Sequence, residues 1–239
     1  VNAPTLPRAL TPHAFTHVTT WVFDLDNTLY PPGAGLWPKI DARITHYISD
    51  LHGLDGLSAR ALQKFYYERY GTTLRGLMED HLIDPAAFLA FVHDIDRSAI
   101  VPNPILAAAI AALPGRKLIL TNGSRHHAVE TARALGVDHL FEDIFGIEAG
   151  DLLPKPEPET YQRFLTRHDV DPQGAVMFED IPRNLLVPKA LGMTTVLVVP
   201  PPGAVDEREA FEMTGGVTPA HIDFVTNDLE GFLQGIAPE

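Results

Sequence analysis

The chain has 239 residues, which at about 150 residues per domain allows one large domain or one domain carrying a sizeable insertion. A hydrophobic share of 45% and a charged share of 21% exclude a disordered chain and supply a real core. The net charge of −13 argues against general binding to nucleic acid polymers or anionic membranes, and the absence of cysteine excludes disulfides, thiolate zinc sites and cysteine catalysis.

Residues 1–11 contain prolines and are too polar for a signal-peptide core, and no apolar run approaches the roughly 18 residues of a spanning helix. The expectation is a soluble cytoplasmic protein. The first strand is predicted over 18–24 (VTTWVFD), β-branched and aromatic and ending on an acid. From about 36 to 100 only helical periodicity is found. Leu62, Phe65, Tyr66, Arg69 and Tyr70 recur at i, i+3, i+4, i+7 and i+8, and Ala86, Leu89 and Ala90 repeat the pattern. Pro31, Pro32 and Gly33 mark the entrance to this stretch, and Pro102 and Pro104 its exit. Residues 36–100 therefore read as a helical module inserted into a core made of 1–35 and 101–239.

Beyond the insertion, helical patterns over 104–113, 125–135, 157–167 and 183–191 alternate with short apolar runs at 117–121, 175–178 and 194–199. Runs of that kind fit strands buried on both faces, so the predicted core is α/β, a doubly wound parallel sheet. Residues 203–218, with Asp206, Glu207, Glu209 and Glu212, read as a solvated loop and short helix. Residues 231–239 read as a terminal helix that frays.

Four groups of polar residues fall at the carboxyl ends of predicted strands, where open α/β sheets bind ligands. Asp24 and Asp26 repel each other at the end of the first strand, and a hard divalent cation with oxygen ligands offsets such repulsion. Chemically, Asp24 suits attack on phosphorus, and Asp26 suits proton transfer to the leaving oxygen and then from water. Thr121, Asn122, Gly123 and Ser124 precede a helix and present a hydroxyl, an amide and free N–H groups, a natural phosphate cradle. Pro154 and Pro156 restrict the backbone around Lys155, which in that setting neutralises a carboxylate and grips a phosphoryl oxygen. Glu179 and Asp180 supply a second acidic pair for a metal shell. Each group has a plainer reading as a turn, a helix cap or a solvated loop. Their combination on one sheet edge favours chemistry.

At this point the chain resembles the haloacid dehalogenase superfamily, through DLDNT at 24–28, TNGS at 121–124, KPEPETY at 155–161 and FEDIPRN at 178–184. The resemblance implies Asp24 as nucleophile and Asp26 as acid/base, with Thr121 and Lys155 on the phosphoryl group, and the insertion at 36–100 as a helical cap domain. It implies Mg2+ held by Asp24, the Asp26 carbonyl and Asp180, with Glu179 nearby through water. A closer resemblance is to the pyrimidine 5′-nucleotidase branch, carried by FDLDNTLYPP at 23–32, YYERYGTTLRGL at 66–77, TNGSRHHA at 121–128 and EDIPRNLLVPKALGM at 179–193. Ile181 departs from the wider superfamily, where serine is common after the acidic pair. The substrate implied is a small phosphorylated metabolite, a pyrimidine nucleoside 5′-monophosphate.

Within the insertion, Tyr66 and Tyr70 share a face with Leu62 and Phe65 and read as cap core, leaving Tyr67, Thr73 and Arg75 as substrate contacts along with Asn122 and Gly123. His126 and His127 are adjacent, so their side chains diverge on a helix; they are poor joint metal ligands and read as surface or cap-packing residues. His46, His52, His81 and His93 show no ligand spacing. Competing activities are 2-haloacid dehalogenation, which needs neither Mg2+ nor a second aspartate, sugar phosphomutation, and phosphate release from other small metabolites. A non-catalytic binding protein is a further alternative, and retention of all the expected catalytic side chains argues against it.

Overall fold

A computed structural model describes residues 12–213 and 217–236. Six strands, all parallel, form one sheet in the order β3-β2-β1-β4-β5-β6. They are β1 (Thr20–Phe23), β2 (Arg116–Leu120), β3 (Asp143–Phe145), β4 (Ala175–Glu179), β5 (Thr194–Val198) and β6 (Phe224–Thr226). The strand order reverses between β2 and β4 on either side of β1, and that switch point opens a crevice at the carboxyl ends of the strands.

The two-residue period of the strands sorts their side chains to opposite faces. Trp21, Phe23, Ile119, Val176 and Phe178 pack on one side with helices α5 (Pro104–Ala112), α6 (Arg125–Leu135) and α9 (Leu229–Ile236). Val22, Leu118, Leu120 and Met177 pack on the other with Tyr161, Phe164 and Leu165 of α7 (Pro158–His168). Both faces are therefore dry, as the continuously apolar strands predicted. The doubly wound α/β sheet read from the sequence is the architecture observed. α8 (Leu186–Leu191) is short and ends at Gly192, whose φ of 99° suits the left-handed cap only glycine adopts cheaply.

Between β1 and α5 run four helices, α1 (Trp37–His52), α2 (Gly56–Tyr70), α3 (Thr73–His81) and α4 (Pro85–His93). Local chemistry sets their boundaries. Asp55 accepts N–H bonds from Leu57 and Ser58, Thr72 accepts from Arg75, and Asp84 accepts from Ala86 ahead of Pro85. These helices bury a separate cluster, including Ile48, Tyr66, Leu77, Phe88 and Val92, against which Ile147 from the sheet side also packs. At about 1.5–3 kcal/mol for each buried large apolar side chain, such a cluster holds four short helices that would be marginal alone. Tyr66 lies on its buried face, and the ring closes over Gly76, where any Cβ would clash. Phe65, expected on that face, is half exposed. Among the described residues no helix is long and apolar enough to cross a membrane.

Two edge strands, β3 and β6, were not anticipated. Three residues each, they are too short to show a period. Residues 203–206 are exposed and residues 210–212 form a 3-10 turn, in line with the solvated loop and short helix expected, but residues 204–212 do not stand free of the rest. They fold back across the sheet edge, where Gly33 donates its N–H to Glu207 at 3.1 Å and Lys64 pairs with Glu209 at 2.7 Å.

Candidate active site

The strand ladder runs one residue past β1, since Asp24 donates its N–H to the Phe178 carbonyl at 2.9 Å. The chain then turns, with Asn27 in the left-handed region at φ 61°, a conformation asparagine tolerates better than most residues. Thr28 and Leu29 both close N–H bonds on Leu25. The turn brings Asp24 and Asp26 to one opening.

Lys155 reaches the same opening from the loop before α7 and is 1% exposed. Its ammonium donates three bonds, to Asp24 Oδ1 at 2.6 Å, Glu179 Oε2 at 2.7 Å and the Leu120 carbonyl at 3.0 Å. Burial alone would lower the Lys155 pKa, but the two carboxylates outweigh it and hold the ammonium charged. Asn122 clamps the lysine's backbone, accepting the Lys155 N–H at 2.7 Å and donating to the Lys155 carbonyl at 3.2 Å. Asn122 lines the cavity, with its oxygen and one of its two amide N–H donors taken by the lysine loop. Thr121 accepts the Gly123 N–H at 2.9 Å, which leaves its hydroxyl proton free to donate.

Asp24, Glu179 and Asp180 each offer a carboxylate oxygen, all within 4.8 Å of one another and all buried. Burial first, then the negative field of Glu179, pushes Asp24 up to about 7 against the pull of Lys155. Burial and the fields of Glu179 and Asp24 push Asp180 well above the usual carboxylate range. Asn184 Oδ1 is buried beside this group with no hydrogen-bond partner among the described residues. Three buried acids facing one lysine leave an uncompensated negative charge among oxygen donors, and a hard divalent cation fits that donor set. Glu179 already uses both oxygens, on Lys155 and on the Ile181 N–H, so Asp24 and Asp180 are the carboxylates better placed to hold it.

Asp26 is held differently. His127 Nε2 lies 2.8 Å from its Oδ1, and the Tyr30 hydroxyl donates to the same oxygen at 2.5 Å. Burial acts to raise the Asp26 pKa, and the hydrogen bonds from His127 and Tyr30 act to lower it. His127, expected as a surface or cap-packing residue, does pack against the four-helix segment through His93, and it is also fully buried against an acid of the site. Its four-residue spacing to Thr131 and Leu135 on the inward face of α6 is the signal that could have found it. His93 stacks on it at 4.5 Å, and burial lowers the His93 pKa to about 3.

The cavity above these groups is closed by the four-helix segment and by residues 207–212. Helices α1 and α4 contribute an apolar wall of Trp37, Ile40, Ile44, Phe88, Leu89 and Val92, while α2 contributes Gln63, Lys64 and Tyr67. Thr73 also lines the cavity, but its hydroxyl donates to the Gln63 carbonyl at 3.2 Å. Tyr67 donates its hydroxyl to Glu212. Arg75 is not brought to the cavity. Its guanidinium pairs with Glu79 one turn along α3 at 2.5 Å, and the residue lines a separate depression with Glu157 and Arg183.

A family model for haloacid dehalogenase-like hydrolases matches residues 18–192. Phosphate metabolism protein 8 of Saccharomyces cerevisiae is 26% identical over 156 residues, covering 59% of this chain and 48% of that protein, so the chain spans about half the length of the relative it matches. Among solved structures, a phosphatase of the same superfamily from Thermococcus onnurineus superposes with a TM-score of 0.57 at 17% identity, covering 92% of this chain and all of the other. An L-2-haloacid dehalogenase from Xanthobacter autotrophicus gives 0.53 at 19% identity, also covering 92% of this chain and all of the other. At these identities the two structures speak to the fold.

Proposed function

Since the chain belongs to the haloacid dehalogenase-like hydrolases, we propose that it is a cytoplasmic, Mg2+-dependent phosphomonoesterase working through an aspartyl-phosphate. The observation that supports this over carbon–halogen chemistry is the surplus of buried carboxylates. Asp24 and Asp180 crowd a cation-fitting position, while Asp26 stands apart from Lys155 with its own donors. A dehalogenase would need neither the second aspartate nor the metal.

Asp24 and Asp180, with the Asp26 carbonyl, would hold the metal. When bound, Mg2+ offsets the negative charge shared by these carboxylates and the phosphoryl oxygens. The Thr121 hydroxyl grips the phosphoryl group, while Lys155, its three donors held by Asp24, Glu179 and the Leu120 carbonyl, supplies positive charge beside it. A carboxylate oxygen of Asp24 forms the new bond to phosphorus as the ester P–O bond breaks, and the departing oxygen takes its proton from Asp26. Water then attacks the phosphorus, gives its proton to the Asp26 carboxylate and releases inorganic phosphate and free Asp24. The four-helix segment, taken as a cap spanning 36–100, selects the ester. Its aromatic and apolar wall beside Gln63 and Lys64 suits a flat heteroaromatic ring with a hydrogen-bonding edge, which supports a pyrimidine nucleoside 5′-monophosphate as substrate.

A phosphate-release screen over nucleoside monophosphates, sugar phosphates and phosphoglycolate, with Mg2+ or with a chelator, tests this reading. The expected result is release from CMP or UMP that the chelator abolishes. Halide release from a 2-haloacid in chelator, with no phosphate release from any ester, overturns it.

A further inference from the structure

Asp26 carries both of its side-chain contacts on one oxygen. His127 and Tyr30 converge on Oδ1. The other oxygen faces the opening. A methyl group placed on Gly123 would stand 3.5 Å from Asp26 Oδ2 and 3.3 Å from Thr121 Oγ1, so the missing side chain keeps clear the space that both oxygens border.

The second nitrogen of His127 decides what the first can do. Nδ1 lies 3.0 Å from Arg97 Nη2. Arginine only donates, so Nδ1 must accept and the neutral ring carries its proton on Nε2. His127 is thereby fixed as a donor to Asp26. Arg97 has little freedom to do otherwise, because Nη2 also donates to the His93 carbonyl at 3.1 Å and Nη1 to the Ile95 carbonyl at 3.2 Å. Its Nε reaches Thr131 on α6 at 3.4 Å. His93, in the last turn of α4, covers the His127 ring and bonds to Ser124 Oγ through Nδ1 at 3.0 Å.

We propose that His127 is a positioning residue for proton transfer, set in its tautomer by Arg97, and that with Tyr30 it pins Asp26 Oδ1 so that Oδ2 addresses the leaving oxygen. The inference rests on the acid/base reading of Asp26. Its consequence for the fold is specific. Arg97 and His93 belong to the stretch by which the chain returns from the four-helix segment to the sheet, so the aim of the acid/base depends on where that segment sits. A histidine that merely filled the core would need neither a defined tautomer nor an arginine from that return.

The test compares two esters of similar size, benzyl phosphate, whose alkoxide needs a proton, and p-nitrophenyl phosphate, whose phenolate does not. Asp26→Ala should lose kcat/KM on benzyl phosphate by about a hundredfold or more relative to p-nitrophenyl phosphate. His127→Leu should show the same selective loss. His127→Gln, which retains a side-chain N–H of similar reach, should recover at least about tenfold of it. Arg97→Met should show a smaller selective loss. In nitrogen NMR of the wild-type protein His127 should appear with Nε2 protonated and Nδ1 not, a pattern that Arg97→Met erases. Equal losses on both esters in His127→Leu and Arg97→Met, or a His127 protonated on Nδ1, overturn the proposal while leaving Asp26 its role. Absence of ester selectivity in Asp26→Ala overturns the acid/base reading itself, and this inference with it. Should His127→Leu fail to fold, His127→Gln, Arg97→Met and the spectrum decide.

Discussion

The sheet edge and the four-helix segment face each other across one cavity, yet they hold their polar groups in different ways. At the edge, Lys155 spends all three donors on Asp24, Glu179 and the Leu120 carbonyl, and the acids around it remain in excess. Across the cavity, Asp41 takes bonds from Arg60, Gln63 and Lys64, so the polar groups of α1 and α2 largely satisfy one another. Burial raises the Asp41 pKa, but the Lys64 and Arg60 bonds outweigh it and bring it below the ordinary range, whereas Asp24 and Asp180 are driven the other way. One side is charged so as to need a partner, and the other is balanced without one. On the proposed function, chemistry belongs with the first and selection of the substrate with the second.

The largest effect expected comes from the side in excess. Asp24→Asn should reduce phosphate release by about a thousandfold or more on every ester, because an amide cannot form the covalent intermediate. Steady-state assays across good and poor leaving groups measure this. A variant that kept substantial activity on any of them would place the nucleophile elsewhere.

The same excess predicts a pH dependence. Asp24 rises from 3.8 to about 7 in the folded, metal-free protein. A raised folded-state pKa means that the stability tied to this proton is fully present below about 4 and is lost as the pH climbs through about 7. The rise corresponds to at most about 4 kcal/mol. Thermal denaturation without metal should therefore show wild type losing stability between about pH 4 and 7 relative to Asp24→Asn. Mg2+ should stabilise wild type more at pH 8 than at pH 5.5, with protons released on binding that calorimetry in two buffers can count. Mg2+ stabilisation that did not change with pH would show that the acids at the sheet edge are not its ligands.

The smallest effects should come from the balanced side. Trp37→Ala removes the larger of the wall's two aromatic rings and should lower kcat/KM for CMP or UMP by about tenfold, equal to about 1.4 kcal/mol of transition-state binding. Acetyl phosphate, which has no group to reach that wall, should be hydrolysed almost as before. Arg75→Ala should alter neither substrate by more than about twofold, since that guanidinium is turned toward Glu79. Equal losses on both substrates in Trp37→Ala would assign the four-helix segment to folding or closure rather than selection.

The sequence by itself determined the parallel sheet, the helical run between its first two strands, and the acids, hydroxyl and lysine at the strand ends. These features are written locally. Strand period, cap residues and a strand's last residue are read over a few positions, and a motif at a strand's carboxyl end has one place to go once the sheet forms. Tertiary structure alone decided which groups touch. His127 meets Asp26 across 101 positions and Arg97 across 30, and Tyr67 meets Glu212 across 145. Asn122 turned inward to the lysine loop, Arg75 turned away, and residues 207–212 came back over the site for the same reason. A polar side chain has many possible partners, and burial selects the pairing that satisfies the most donors and acceptors at once, a condition set by the whole packed fold rather than by any window of sequence.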